Sequence, residues 1–135
     1  MEKPSPSETD YAYLAGLIDG EGTFVTMKPW NNPQVQISMM HEETIRWIVD
    51  TFGSNFQPWT SRVGKTMYKT YFGPTKLREH LPSIIPFLKT KPRQAILMTE
   101  LLQLRNQSNP FRLGDPRRQN EICLQISQLN KGIIH

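Results

Sequence analysis

Small residues at a regular helical spacing near the N-terminus constrain the fold of this chain more than any other feature. The pattern Ser7-Glu8-Thr9-Asp10 resembles a helix-capping box, and we expect a helix from about Glu8 to Asp19. Ala12, Gly16 and Gly20 recur every four residues and so share one face of that helix. Glycine inside a helix costs about 1 kcal/mol relative to alanine. Gly16 therefore needs a packing reason, and the bare face predicts that another backbone approaches it closely.

The segments that follow predict an antiparallel sheet with helices on one side, which is an α+β architecture. Two hairpins are expected, the first around turn residues 29 to 33 and the second around a turn near residues 63 to 65. Pro82 and Pro86 should break the next helical segment into one or two short helices. After the first helix, the predicted elements are strands at Thr23 to Lys28 and Gln34 to Met40, a helix at Glu42 to Phe52, a hairpin from Phe56 to Phe72, and helices at Lys76 to Leu88, Gln94 to Gln107 and Gln119 to Leu129.

Length and composition bound the number of domains and the classes of protein. A chain of 135 residues with 37% hydrophobic residues predicts a single folded domain over residues 1–135. No apolar run is long enough to span a membrane and no secretory signal is evident, so we expect an intracellular protein with no membrane partner and an undetermined compartment. The lone Cys123 predicts a small core residue.

Positive charge is concentrated in the middle of the chain. The formal net charge is only +4, but residues 51 to 93 carry eight Lys or Arg against the single Glu79, whereas residues 1 to 50 are acidic overall. Such a block indicates either a surface that binds a polyanion or an ordinary solvated face. Charge alone does not separate these two interpretations.

One motif resembles a known family. The segment Leu14-Ala15-Gly16-Leu17-Ile18-Asp19-Gly20-Glu21-Gly22 is similar to the signature of the LAGLIDADG homing endonucleases, with Gly20 and Glu21 where the name has Ala and Asp. The predicted element order also matches the αββαββα core of that family. Pro86-Phe87-Leu88-Lys89-Thr90-Lys91 resembles the segment that carries the family's catalytic lysine. The resemblance implies a single-motif subunit with a saddle-shaped sheet, helices on one face and DNA on the other.

The resemblance also implies a shared metal site in a homodimer. Two motif helices would pack through Ala12, Gly16 and Gly20, with Asp19 supporting the interface, and would bring Glu21 of each subunit to a common centre. Divalent Mg²⁺ or Mn²⁺ would offset the repulsion between the carboxylates and support phosphodiester hydrolysis. The Gly20 carbonyl is a second candidate ligand. Lys91 is expected to contact water or a phosphate oxygen, and His41 to order water near the cleft, although a capping role for His41 is equally open.

DNA recognition is assigned to the polar face of the sheet. Glutamine can pair with adenine, and arginine or lysine with guanine, in the major groove. In the second hairpin, placing Met67 and Tyr71 inward would point Thr66, Tyr68 and Thr70 outward, but it would turn Lys69 inward, so that register stays open. The candidate DNA-binding residues are Lys28, Gln34, Gln36 and Ser38 in the first hairpin, Arg62, Lys65, Thr66, Tyr68 and Thr70 in the second, and Lys89, Arg93, Arg117 and Arg118 for phosphates.

Two other functions remain compatible with the sequence. A protein of the same fold could act as an RNA maturase on intron RNA, or as a DNA-binding protein that does not cleave. The presence of both Glu21 and Lys91 favours cleavage, but it does not exclude maturase activity beside it. A structural dimer without a nucleic-acid partner would leave the basic middle block unexplained.

Overall fold

A computed structural model describes residues 4–106 and 116–132 of the chain. Its element order agrees with the predicted order of helices and strands. The elements are α1 (Glu8–Glu21), β1 (Gly22–Met27), β2 (Asn32–Met39), α2 (Glu42–Phe52), β3 (Gln57–Thr60), β4 (Thr66–Phe72), α3 (Pro74–Ile84), a 3₁₀ helix (Ile85–Phe87), α4 (Pro92–Asn106) and α5 (Pro116–Asn130).

Helix α1 passes into strand β1 without a loop. Its N-terminus has the predicted capping box, in which Asp10 N donates to Ser7 Oγ at 3.1 Å and Ser7 N donates to Asp10 Oδ2 at 2.9 Å. The helix continues two residues past the predicted end, to Glu21, and β1 begins at Gly22. A Cβ at Gly22 would lie 2.8 Å from the Ile18 Cα, so the abrupt turn requires glycine. Glu21 is thereby fixed at the junction of helix and sheet.

The four strands form one antiparallel sheet in the order β1-β2-β4-β3. Because side chains alternate along a strand and directly paired residues share a face, the register separates two faces. The core face carries Phe24, Val35, Ile37, Thr70 and Phe72, all buried against the helices. We call the opposite side the open face. Its residues, from the register, are Thr23, Val25 and Met27 of β1, Gln34, Gln36 and Ser38 of β2, Met67, Lys69 and Tyr71 of β4, and Gln57 and Trp59 of β3.

The assignment of faces in the second hairpin was wrong. Thr70 is fully buried, and its hydroxyl donates to Ser54 Oγ at 2.6 Å on the helical side of the sheet. Thr66 and Tyr68 alternate in step with Thr70 and therefore lie on that side as well. Tyr68 stacks on Phe56 with ring centroids 6.0 Å apart. These three predicted base-reading residues face away from the open face, and the residues between them take their place.

The helices cover the core face with one continuous apolar cluster. Leu14, Ala15 and Ile18 of α1 are buried in it, together with apolar residues of every other α-helix. The expected break at Pro82 was wrong, because α3 continues through it to Ile84. Pro82 is exposed and lies in the last turn, so it costs one backbone hydrogen bond without forcing a clash into the core. Within residues 4–106 and 116–132, no helix is long and apolar enough to cross a membrane.

Candidate functional site

The C-terminal end of α1 presents an unengaged carboxylate. Glu21 is the last residue of the helix and is exposed. Its carboxylate has no hydrogen bond or ion pair with any other residue in the part of the chain that the structure describes. A carboxylate at the negative end of a helix gains nothing from the helix dipole. Its position therefore favours a cationic ligand brought from outside the fold.

The carboxylate of Asp19, two residues earlier, is fully engaged within the chain. Its Oδ2 accepts the backbone N–H of Lys89 at 2.7 Å, and its Oδ1 accepts those of Thr90 and Lys91 at 3.1 and 3.0 Å. Three successive amides around one carboxylate hold the loop before α4 in a single conformation. The sequence predicted Asp19 at the dimer interface and gave no indication that it binds the amides of this loop.

Lys91 lies at the same helix end as Glu21. Its Nζ donates to the carbonyl oxygens of Ile18 at 3.1 Å and Gly22 at 2.5 Å. An ammonium group at this position offsets the partial negative charge of the terminal carbonyls. The fold thus places Lys91 at the junction of α1 and β1, where Glu21 lies, although the two residues are 70 positions apart in the sequence.

The face of α1 that carries the small residues is uncovered. Ala12, Gly16 and Gly20 are exposed, and a Cβ added at either glycine would meet nothing within 4 Å. Beside them Tyr13 is 53% exposed and packs edge-on against Trp47 of α2, with centroids 5.1 Å apart. The helix therefore has an apolar buried side and a nearly flat apolar outer side, which is available to another helix.

The middle of the open face is polar, and some of its side chains are hydrogen-bonded to one another. Gln34, Gln36 and Ser38 lie opposite the core-facing residues of β2, as predicted. The Gln36 amide donates to Gln34 Oε1 at 3.0 Å and contacts Met27 Sδ at 3.7 Å. Thr23 and Tyr71 flank Gln36 directly in the register. A row of hydrogen-bonding side chains therefore begins two residues after Glu21.

Solved structures show the same architecture. The archaeal intron-encoded homing endonuclease I-Vdi141I, complexed with DNA, matches with a TM-score of 0.74 at 14% identity, over 90% of this chain and 84% of its own. The homing endonuclease I-CvuI, in complex with its target in the presence of Ca, matches with a TM-score of 0.66 at 17% identity, over 90% and 82%. This chain has the LAGLIDADG fold. The LAGLIDADG homing endonuclease I-GzeII, in complex with its DNA target, also matches, with a TM-score of 0.66 at 16% identity, but 95% of this chain covers only 45% of I-GzeII. No protein-family model matches the sequence, and the search of curated proteins gave no match.

Within the LAGLIDADG fold, some predicted basic residues surround the start of β1 and others do not. Lys89, Lys91 and Arg93 line a cavity of about 500 Å³ beside Gly22 and Thr23. Lys28 lies just after the end of β1. Lys28 is therefore at the opposite end of β1 from the other three basic residues.

The remaining basic candidates have other surroundings. Arg62 and Lys65 are exposed in the tight turn between β3 and β4, where Lys65 N donates to Ser61 Oγ at 3.2 Å. Arg117 is exposed and has a partner within the fold. Arg118 is held in place by two carboxylates: its Nη2 donates to Glu100 Oε1 at 2.6 Å, and its Nη1 donates to Glu121 at 3.1 Å. The paired carboxylates raise the pKa of Arg118, and the same hydrogen bond lowers the pKa of Glu100.

His41 occupies a capping position. It is the N-cap of α2, where its Nδ1 accepts the backbone N–H of Thr44 at 3.3 Å and lies 2.6 Å from the Thr44 hydroxyl oxygen. That is the alternative role that the sequence left open. His41 is exposed and follows β2 by one residue, but its ring nitrogen is engaged by its own helix.

The residues fit a divalent metal only as part of a larger donor set. Within the described ranges, no three His, Cys, Asp or Glu side chains cluster in a way that could hold an ion. Mg²⁺ is commonly bound by one or two carboxylates and completed by water and phosphate oxygens. Glu21, with the carbonyl of Gly20 beside it, suits such a set. Asp19 does not, because both of its oxygens already accept backbone amides.

Several open-face residues were missed from the sequence. Lys69, Tyr71, Gln57 and Trp59 lie on this face because the second hairpin has the opposite register to the one considered. The available signal was Lys69 itself, since a lysine is rarely turned into a core.

Proposed function

We propose that the protein is a site-specific homing endonuclease that acts as a homodimer and makes metal-dependent double-strand breaks in DNA. The observation that carries the proposal is the end of α1, where the unengaged Glu21 lies beside the tethered Lys91 and directly before the open sheet face. The DNA-bound structures that share the LAGLIDADG fold support the same activity.

The uncovered groove on α1 supports the homodimer. A second copy can place its own α1 against Ala12, Gly16 and Gly20, none of which has a side chain longer than that of alanine, with Tyr13 beside the contact. A two-fold axis between the helices would bring the two Glu21 residues together. The difference in length from I-GzeII agrees with this proposal, because this chain corresponds to about half of that protein.

At the shared centre, Glu21 and the Gly20 carbonyl would hold Mg²⁺ or Mn²⁺, and the bound ion would polarise the phosphate and activate water. Lys91 is restrained by the Asp19-anchored loop at the same helix end, so its ammonium can offset negative charge that develops on the phosphate. The role of Asp19 is then to position Lys91 and not to bind the ion.

Recognition would use the open face of each subunit. An antiparallel sheet of this kind can enter the major groove, where Gln34 and Gln36 would contact base edges. Lys89, Arg93 and Lys28 would contact phosphates and set the position of the sheet without reading the sequence. Two subunits related by a two-fold axis would recognise a near-palindromic site of roughly 20 bp. One of the similar structures is an intron-encoded endonuclease. By analogy, the target of this protein would be a gene copy that lacks the insertion carrying the endonuclease coding sequence.

The test is cleavage of a plasmid library that carries randomised sites, with Mg²⁺ or with EDTA. We expect linear product in Mg²⁺ only, and we expect Glu21→Gln to abolish it while DNA binding remains. Glu43→Gln is the matched control, since Glu43 is an exposed carboxylate in the first turn of α2. Specific DNA binding without cleavage by the wild type would indicate a non-cleaving DNA-binding protein. Stronger binding to structured RNA than to any duplex DNA would indicate a maturase.

A further inference from the structure

The open face of the sheet is not polar throughout. Its central residues are hydrogen-bonding side chains, but apolar residues lie at both ends. The outer patch consists of Val25 and Met27, at the end of β1 that is farther from Glu21. The inner patch consists of Trp59 and Met67, which are directly paired across β3 and β4. The outer patch is on β1 and the inner patch is on β3 and β4. Strands β1 and β4 both pair with β2, which carries Gln34, Gln36 and Ser38.

Both patches leave large apolar groups in contact with solvent. Met27 is 42% exposed and Trp59 is 47% exposed. Exposed apolar side chains that share a face with hydrogen-bonding and cationic groups can contact a partner that carries both kinds of group. Cationic side chains lie beside both patches: Lys28 follows Met27, and Lys69 shares the open face with Trp59 and Met67. The complementary partner is therefore a polyanion that also presents apolar groups.

Duplex DNA has one such group in the groove that the sheet would enter. The C5 methyl of thymine is the apolar feature of the major groove, and apolar side chains distinguish thymine by contacting it. Phosphates on either side of the groove provide the negative charge for the flanking lysines. No hydrogen-bonding code is available to Val25 or Met27, so methyl contact is the means by which they can contribute to specificity.

We infer that the outer and inner patches read thymine methyl groups, so that each half-site contains thymines at two places, with the base pair that Gln36 reads between them. This inference rests on the proposed DNA-binding function and adds the chemistry of its target. Val25 and Met27 are two residues apart on one strand, about 7 Å, which corresponds to roughly two base-pair steps. The outer patch thus covers neighbouring base pairs.

The Gln36 amide contacts both a methyl-reading residue, Met27, and another hydrogen-bonding residue, Gln34. It contacts Met27 Sδ at 3.7 Å while donating to Gln34 Oε1 at 3.0 Å. The amide oxygen of Gln36 and the amide nitrogen of Gln34 are left available for base edges. The thioether and the amide therefore face adjacent positions, and an A·T pair next to a T·A pair fits them best.

The experiment replaces thymine by deoxyuridine, which removes one methyl group and keeps the base pair. Binding sites would first be selected from a random duplex library with the full-length wild-type protein in EDTA, so that the DNA remains intact. Each thymine of the selected half-site is then replaced in turn. At the thymines beneath the patches we expect affinity to fall about fourfold per methyl, the factor for withdrawing one methyl group from water.

Variants assign each methyl to a patch. Met27→Ala should lose the discrimination between thymine and deoxyuridine at the outer thymine that lies under Met27 and keep it at the one under Val25. Trp59→Ala should likewise lose it at the inner thymine under Trp59 and keep it at the one under Met67. Leu124→Ala, an exposed apolar substitution on α5, should keep the wild-type discrimination at every position.

Three outcomes would overturn the inference. If a site is selected but no deoxyuridine substitution weakens binding, the methyl contacts are absent while the proposed function stands. If Met27→Ala and Trp59→Ala change the sedimentation of DNA-free protein and not the thymine discrimination, the patches bind protein instead. If no duplex site can be selected at all, the proposed function fails together with this inference.

Discussion

Helix α1 and the open face of the sheet adjoin at Gly22, yet their side chains are organised in opposite ways. Around the end of α1, Asp19 binds three amides and Lys91 binds two carbonyls, whereas the Glu21 carboxylate has no partner among the described residues. On the open face, side chains are exposed or half-buried, and the hydrogen bonds among them join Gln36 to Gln34 and Met27. A site for one fixed reaction needs rigid geometry in a few residues. A surface that discriminates among sequences distributes its free energy over many contacts, and substitutions in the two regions should differ accordingly.

The largest effect is expected from filling the groove on α1. Gly16→Leu should weaken self-association by at least about 100-fold, because the new side chain stands where two backbones would approach. Binding and cleavage should both be lost, whereas the monomer should fold, since a Cβ at Gly16 meets nothing within its own chain. Sedimentation at micromolar concentration and circular dichroism measure the two properties separately. A Gly16→Leu protein that remains dimeric and active would contradict the proposed interface.

A large loss of rate without a comparable loss of affinity is expected at Lys91. Lys91→Ala should slow cleavage by about 100-fold to 1000-fold, as for removal of a donor that stabilises the transition state. Lys89→Ala is the matched control and should mainly weaken binding, because only the backbone of Lys89 is held by Asp19. Single-turnover rates and equilibrium binding to the same duplex distinguish the two effects. Equal losses of affinity with unchanged rates would make Lys91 a phosphate anchor.

Asp19→Asn tests whether the rigid geometry itself matters. Hydrogen bonds to a charged acceptor contribute about 1.5 to 3 kcal/mol, and the amide cannot accept at both positions. We expect lower stability to urea and slower cleavage, with the apparent affinity for metal unchanged because Asp19 is not a ligand. A shift of the Mg²⁺ dependence of cleavage would instead place Asp19 among the ligands.

The first hairpin and α1 were predictable because their signals are local. Val35 and Ile37 alternate with Gln34 and Gln36 along β2. Because the apolar pair is buried, the two glutamines must lie on the opposite face of the sheet. In β4, apolar and polar residues occur on both faces, and the choice is made by contacts distant in sequence. Thr70 is buried because Ser54 accepts its hydroxyl hydrogen bond.

The engagement of Asp19 was equally hidden from sequence patterns, since its partners begin 70 residues later. The resemblance gave the residue identities at the end of α1. It could not give their hydrogen-bond partners. The spacing of apolar residues predicts which side of a helix or strand is buried. It does not predict which polar groups, distant in sequence, form hydrogen bonds in the folded chain.

On the open face, single substitutions should have moderate effects that depend on the DNA sequence. Gln36→Ala should reduce discrimination at one or two base pairs per half-site, by about 1 to 3 kcal/mol for a paired contact to adenine. Arg93→Ala should weaken binding to all sequences alike and lower the salt dependence by about one phosphate contact. Competition binding with single-base variants at several salt concentrations compares them directly. If Gln36→Ala weakened binding to all sequences by the same factor, Gln36 would not be a base-reading residue.

The smallest effect is expected away from both regions, at the ion pair between Arg118 and Glu100. The hydrogen bond from Arg118 lowers the pKa of Glu100, so the carboxylate binds fewer protons in the folded state than in the unfolded chain at acidic pH. Its contribution to stability is therefore present above the ordinary carboxyl pKa and is lost as the pH falls through the depressed value. Because both side chains are over one third exposed to solvent, solvent and salt screen the pair and the contribution is small. Glu100→Gln should lower the unfolding free energy slightly at about pH 7, and the difference from wild type should shrink as the pH falls through the lowered pKa of Glu100, as measured by urea titration at a series of pH values. If the same substitution strengthened DNA binding at all sequences by freeing Arg118 for phosphate, the arginine would belong to the recognition surface as the sequence predicted, and its pairing with Glu100 would compete with DNA.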